Sequence, residues 1–141
     1  MLESDVYRKF HEALGEFFDV HRIENAIGAG AFDCALSWRN KTIWVELKKN
    51  VEQPLRGSQI AWVVRRVRAK CELDMYVVSM DDGNFVVADG VEMAVKGYTM
   101  IECRAFVMNG GGLVTFMTMV FDALPGEKYE SRLDAGTAEL H

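Results

Sequence analysis

The chain has 141 residues, 50% hydrophobic and 26% charged, with a net charge of −5 and only two prolines. That length and balance suit a single globular domain, exclude a long disordered linker, and argue against indiscriminate coating of nucleic acid. No apolar run approaches the ~20 residues that span a bilayer, and Glu3 and Asp5 do not fit a secretory leader, so a soluble cytoplasmic protein with no membrane partner is expected.

Residues 3 to 18 have helical spacing, with Val6, Phe10, Ala13, Leu14 and Phe17 on one apolar stripe. Glu3 falls on that stripe, one turn before Val6 and Tyr7, whereas Glu12 and Glu16 fall opposite. Periodicity alone explains Glu3 as an acid that complements the helix macrodipole. A short segment around "VHRIEN" and a loop from Gly28 to Gly30 come next. A strand follows those glycines and no helix does, so they serve a tight bend rather than a phosphate loop.

Residues 31 to 38 and 42 to 48 alternate as two strands of a hairpin. Phe32, Cys34, Leu36 and Trp38 share one face with Ile43, Val45 and Leu47. With Arg39-Asn40 as a two-residue turn, Trp38 opposes Lys41, Leu36 opposes Ile43, Cys34 opposes Val45 and Phe32 opposes Leu47. A slip of one residue scrambles both faces. The same register sets Asp33 opposite Glu46, with Lys48 two residues along on that side.

Residues 58 to 70 read as a second helix, with Ser58 as N-cap and Ile60, Val63, Val64 and Val67 as its buried stripe. Gln59, Trp62, Arg66 and Lys70 form an adjacent edge. Lys48, Lys49, Arg56, Arg65, Arg66, Arg68 and Lys70 are seven of the sixteen Lys and Arg, so positive charge is segregated here. Residues 73 to 80 form a strand, "DDGN" a turn and 85 to 89 a returning strand. Residues 100 to 108 form a strand or a mixed segment. A helix over 113 to 124 would place Leu113, Phe116, Met117, Val120, Phe121 and Leu124 against the sheet or a second subunit. Pro125-Gly126 ends it, and a polar tail runs from 125 to 141. The expectation is one α/β domain over 1–141, its core at about 3–124. Cys34, Cys71 and Cys103 form no CxxC pair, and His11, His21 and His141 have no ligand spacing, which argues against zinc.

Two facing carboxylates repel each other, and a divalent cation removes the conflict. Mg²⁺ takes hard oxygen ligands, commonly one or two carboxylates with water and phosphate. Lys48 would then face an attacking water and a phosphate, and Gln59 could hydrogen-bond either. The plain alternative is a solvated strand face carrying a chance Glu-x-Lys beside a solvated basic helix.

The order Asp33, Glu46-Leu47-Lys48, Gln59 resembles the PD-(D/E)xK nuclease superfamily. "RIENAIGAGAFD", "WVELKK" and "LRGSQIAW" resemble, more closely, the VRR-NUC (virus-type replication-repair) nucleases, especially small stand-alone phage versions. The resemblance covers about residues 3 to 80. It departs at Phe32, where the family usually has proline, and at Gly57, where proline is frequent. It implies a restriction-endonuclease-like core with a mixed central β-sheet flanked by helices. It also implies a Mg²⁺- or Mn²⁺-dependent phosphodiesterase. Asp33, Glu46, the Leu47 carbonyl and Glu3 would be metal ligands, Lys48 the catalytic lysine, and Gln59 the family's helix glutamine. Stand-alone members resemble homodimeric endonucleases of branched DNA such as Holliday junctions. Lys49, Arg56, Ser58, Trp62, Arg66 and Lys70 are the candidate contacts to the nucleic-acid backbone. A nuclease of the same fold without structural preference, or a non-catalytic nucleic-acid-binding module, are the alternatives.

Overall fold

The computed structural model describes residues 2–23, 30–69 and 74–124. Among these residues six strands form one mixed, mostly antiparallel sheet: β1 (Asp19–Arg22), β2 (Cys34–Trp38), β3 (Lys41–Leu47), β4 (Met75–Asp81), β5 (Asn84–Asp89) and β6 (Ala105–Met108). They lie in chain order across the sheet, and every neighbouring pair is antiparallel except β3 with β4. That parallel step requires a crossover, which helix α2 (Gly57–Arg68) supplies. Helices α1 (Glu3–Leu14), α3 (Gly90–Lys96) and α4 (Gly110–Ala123) complete the α/β architecture. Among the described residues no helix is long and apolar enough to cross a membrane.

The β2–β3 register is the expected one, with Cys34 opposite Val45, Leu36 opposite Ile43 and Trp38 opposite Lys41. Arg39 and Asn40 take φ of 52° and 65°, the hand that fits a two-residue hairpin turn to twisted strands. Asp82 and Gly83 do the same between β4 and β5, at 51° and 80°.

The two faces of the sheet bury separate clusters. Val6, Phe10 and Leu14 of α1 and Leu113, Met117 and Phe121 of α4 cover Leu36, Ile43, Val45 and Val87 on one face. Lys41 Nζ donates to the Phe121 carbonyl at 2.9 Å, tying the end of α4 to the hairpin. On the other face, Trp62 and Val63 of α2 and Met93 and Ala94 of α3 pack on Met75, Val77, Val86 and Ala88.

Several elements differ from the sequence expectation. Helix α1 stops at Leu14, so Phe17 leaves the stripe and is exposed; Phe18 takes the buried place, stacked on Phe121 at 5.5 Å. Phe32 lies on the α2 face, opposite to Cys34, because the β2–β3 ladder stops at Cys34 and the alternation stops with it. In α2 the buried residues are Gln59, Trp62 and Val63, while Ile60, Val64 and Val67 are only partly buried. The helix is turned toward Gln59, for a reason that lies in the site. Helix α3 has no counterpart in the expectation; Asp89 caps it by accepting from the Glu92 N–H at 2.9 Å. Residues 100–108 divide into a 3₁₀ turn, Met100–Glu102, and strand β6. Helix α4 begins at Gly110, since Asn109 caps it through the Gly112 N–H at 2.7 Å, and it covers the sheet.

Candidate metal and phosphate site

At the open end of the hairpin the ladder gives way to bonds made by side chains. The Asp33 N–H donates to Glu46 Oε1 at 3.1 Å, and the Leu47 N–H donates to Asp33 Oδ2 at 3.3 Å. The facing pair therefore sits where the register predicts, each carboxylate serving a backbone donor of the other's neighbourhood. The strand behind is held as well: Ile23 N–H donates to the Asp33 carbonyl at 2.6 Å, and Lys48 N–H to the Val78 carbonyl at 2.9 Å.

The loop entering β2 is locked onto the start of α2. Gly30 has φ of +90°, and a Cβ there would lie 2.1 Å from the Ser58 carbonyl oxygen. Only glycine permits that approach. Two residues on, the Phe32 ring sits 5.1 Å from the Trp62 ring.

Glu46, Lys48 and Gln59 form a buried polar chain, each with no more than 1% of its surface exposed. Gln59 Oε1 accepts from the Arg56 N–H at 2.8 Å and from Lys48 Nζ at 3.0 Å. Two donors on Oε1 fix the amide's orientation, so Nε2 faces and donates to Glu46 Oε2. Lys48 Nζ is also 3.6 Å from Glu46 Oε2. Gln59 thus caps α2 from its third position and joins Glu46 to Lys48. This explains both departures in α2: the N-cap position is Arg56 rather than Ser58, and the helix turns its Gln59 edge inward.

Electrostatically the site has an excess of carboxylate. Burial pushes the Glu46 carboxyl up to about 8, Asp33 adds to the rise, and Lys48 and the Gln59 hydrogen bond only partly offset it. Burial also raises Asp33, opposed by the Leu47 N–H and by Arg22, Lys48 and Arg56. Glu3 is raised by burial and then by Asp33, against Lys48, Arg56 and Arg22. A first-helix acid thus stands in the electrostatic reach of the pair. That proximity is what periodicity alone does not show.

The donor set suits a hard divalent cation: two carboxyl groups crowded together, held toward the protonated form by burial and mutual repulsion, which a bound cation would relieve. Asp33 and Glu46 would hold it, with the Leu47 carbonyl adjacent in sequence. Among the described residues no three His, Cys, Asp or Glu side chains converge closely enough to form a complete ligand set. Glu3 therefore stands beside the pair rather than in a three-carboxylate cluster.

The proposed nucleic-acid contacts separate. Lys49, Arg56 and Ser58 are exposed at the mouth of the site. Trp62 is buried, its ring packed between Phe32 and Trp44, and is withdrawn from the surface set as a core residue of the α2 face. Arg66 is half-buried and lies over the Trp44 and Trp62 rings at 5.3 and 5.1 Å, so it covers that core. Lys70 lies outside the described residues. The sequence pattern assigns Arg22 no role, although it opens the "RIEN" stretch. Its influence on Asp33 and Glu3 becomes visible only when β1 is placed beside β2.

No protein-family model matches the chain, and no curated protein is significantly similar to it, so the family resemblance rests on the residues themselves.

Proposed function

We propose that the protein is a metal-dependent DNA endonuclease of the PD-(D/E)xK, VRR-NUC-like kind, with a restriction-endonuclease-like core, selective for branched DNA and acting as a homodimer. The observation that supports the reading is the buried chain Glu46–Gln59–Lys48 beside Asp33, in which carboxylates outnumber the one buried ammonium. A solvated strand face does not account for it, because solvated charges are neither buried nor bridged by a buried amide.

Asp33 and Glu46 would hold Mg²⁺ or Mn²⁺, which when bound supplies charge neutralisation at the phosphate and an acidified water. The chain's own residues do the rest. Gln59 holds Lys48 Nζ in place, so the ammonium needs little rearrangement to meet charge developing on a phosphate oxygen. The Asp33 N–H holds the Glu46 carboxylate and the Leu47 N–H holds that of Asp33, which orients the two for a shared cation. Arg56 and Lys49, exposed beside them, would contact the flanking backbone.

The test compares wild type with Lys48→Ala on labelled four-way junction, flap, linear duplex and single-stranded DNA, with Mg²⁺, Mn²⁺ or EDTA. Metal-dependent cutting that Lys48→Ala abolishes is the expected result, with junction and flap preferred. Equal cutting of linear duplex would replace branched selectivity with general nuclease activity. Binding of junctions without cutting in either metal would favour the binding module.

A further inference from the structure

Resting on the nuclease reading, we propose that Arg22 is a second phosphate-contacting cation of this site, presented by a tyrosine platform from the side of the sheet opposite Lys48. Arg22 ends β1 and pairs with Cys34, the residue next to Asp33. Paired residues share a face, and Cys34 belongs to the α1-side cluster. Arg22 therefore rises on the α1 side, and its guanidinium carbon lies 4.6 Å from the centre of the Tyr7 ring. Tyr7 is one helical turn from Glu3. Lys48 lies on the α2 side, bonded to Gln59, which in turn donates to Glu46. The carboxylates are thus flanked by cations from both layers of the fold.

The contact with the ring bears on what Arg22 can do. A cation–π contact holds the guanidinium without a hydrogen-bond acceptor, and two N–H groups along its edge match two oxygens of a phosphate. Among the described residues no hydrogen bond or ion pair of Arg22 uses the edge, and the residue is exposed. An exposed arginine ordinarily samples many rotamers; the Tyr7 ring favours those that keep this one beside the strand position next to Asp33. In the hydrolysis a water oxygen bonds phosphorus while the bond to the leaving sugar oxygen breaks. The water gives up one proton and the leaving oxygen takes one up. Arg22 exchanges none, since a guanidinium stays charged, and it acts through charge and orientation.

The experiment compares wild type, Arg22→Gln, Arg22→Lys, Tyr7→Phe and Tyr7→Leu as full chains on the DNA that wild type cuts best. It reads the single-turnover rate at saturating Mg²⁺, the Mg²⁺ half-saturation, and DNA binding in EDTA across a salt series. Arg22→Gln is expected to lose roughly 100-fold in rate. Its log–log salt slope should shrink by about 0.9, the signature of one lost phosphate contact. Arg22→Lys restores part of the rate, and Tyr7→Phe, which keeps the ring, stays near wild type. Tyr7→Leu loses rate while keeping the salt slope. If Arg22 is merely a counterion to Glu3 and Asp33, Arg22→Gln cuts at the wild-type rate with a lower Mg²⁺ half-saturation and an unchanged slope; that overturns the proposal. Should Arg22→Gln not fold, a wild-type rate in Tyr7→Leu overturns it equally. A wild type that cuts no DNA in Mg²⁺ or Mn²⁺ defeats the nuclease reading and this inference with it.

Discussion

The two faces of the sheet are built from different materials. The α1–α4 face is a continuous apolar seam in which Phe10, Leu14, Leu36, Ile43, Phe121 and their neighbours are fully buried. The α2–α3 face is as deeply buried, yet its interior is interrupted by Glu46, Lys48 and Gln59. Burying ions and an amide stabilises little compared with burying hydrocarbon of the same volume. One face is apolar throughout, and the other combines its own apolar cluster with charged groups fixed in space at a cost in stability. Substitutions should sort by face.

The sharpest break in that comparison is a pair. Phe121→Ala removes a ring that packs on Phe18 and Trp38 and should cost about 3–5 kcal/mol in denaturant unfolding. The surviving folded fraction should cut DNA at the wild-type rate. Lys48→Ala should do the reverse in function, losing roughly 100- to 1,000-fold in rate while the fold persists. A Phe121→Ala protein that is folded but inactive would show that the faces are not separable.

Gly30→Ala tests the join between them. The added methyl would meet the Ser58 carbonyl at 2.1 Å, in a backbone conformation that disfavours side chains. The expected loss is about 3 kcal/mol of stability. Because Gly30 holds the loop that delivers Asp33, cutting should fall more than the unfolded fraction explains. Activity normalised to folded protein, measured by circular dichroism, checks this.

How far these features are legible in the sequence follows from what each depends on. The hairpin register and the Asp33–Glu46 pairing are legible because apolar alternation on one face leaves no second register. The face that α2 buries is not, because its reason is a buried ammonium and carboxylate that need an amide between them. Periodicity scores Gln59 as polar and turns the helix the wrong way, and with it Trp62. Phe32 is misplaced for a related cause: alternation assumes a ladder, and side-chain bonds end the ladder at Asp33. Helix α3 is seven residues, too short to display a period. The electrostatic influence of Glu3 and Arg22 on Asp33 depends on the tertiary placement of α1 and β1, which no local pattern encodes.

The pH dependence sharpens the cost assigned to the polar face. Glu46 titrates near 4.5 in an unfolded chain and at about 8 in the fold, so the folded state binds more protons between those values. Stability should be full below about pH 4.5 on this account and fall as pH rises toward 8. Asp33, raised in the same direction, adds to the slope. Glu46→Gln should flatten it, and so should Mg²⁺, which favours the ionised pair. Melting temperatures across that range, with EDTA and with Mg²⁺, measure both; a slope that Mg²⁺ leaves unchanged counts against cation binding at Asp33 and Glu46.

The smallest expected effect separates a structural polar group from a functional one on this same face. Ser79 is fully buried on β4, and among the described residues its hydroxyl has no hydrogen-bond partner. It follows Val78, whose carbonyl accepts from the Lys48 N–H, and alternation from Val77 sets it on the α2 face with Glu46 and Lys48. A buried hydroxyl without a partner costs about 1–3 kcal/mol, part of which Ser79→Ala should recover against a very small cavity. The expected outcome is a gain of about 1 kcal/mol in urea unfolding with cutting unchanged. A Ser79→Ala protein that gains stability and loses activity would place the hydroxyl with Lys48 as a group held unsatisfied for substrate. In that case the stability sacrificed on the polar face extends one strand further than Glu46, Lys48 and Gln59.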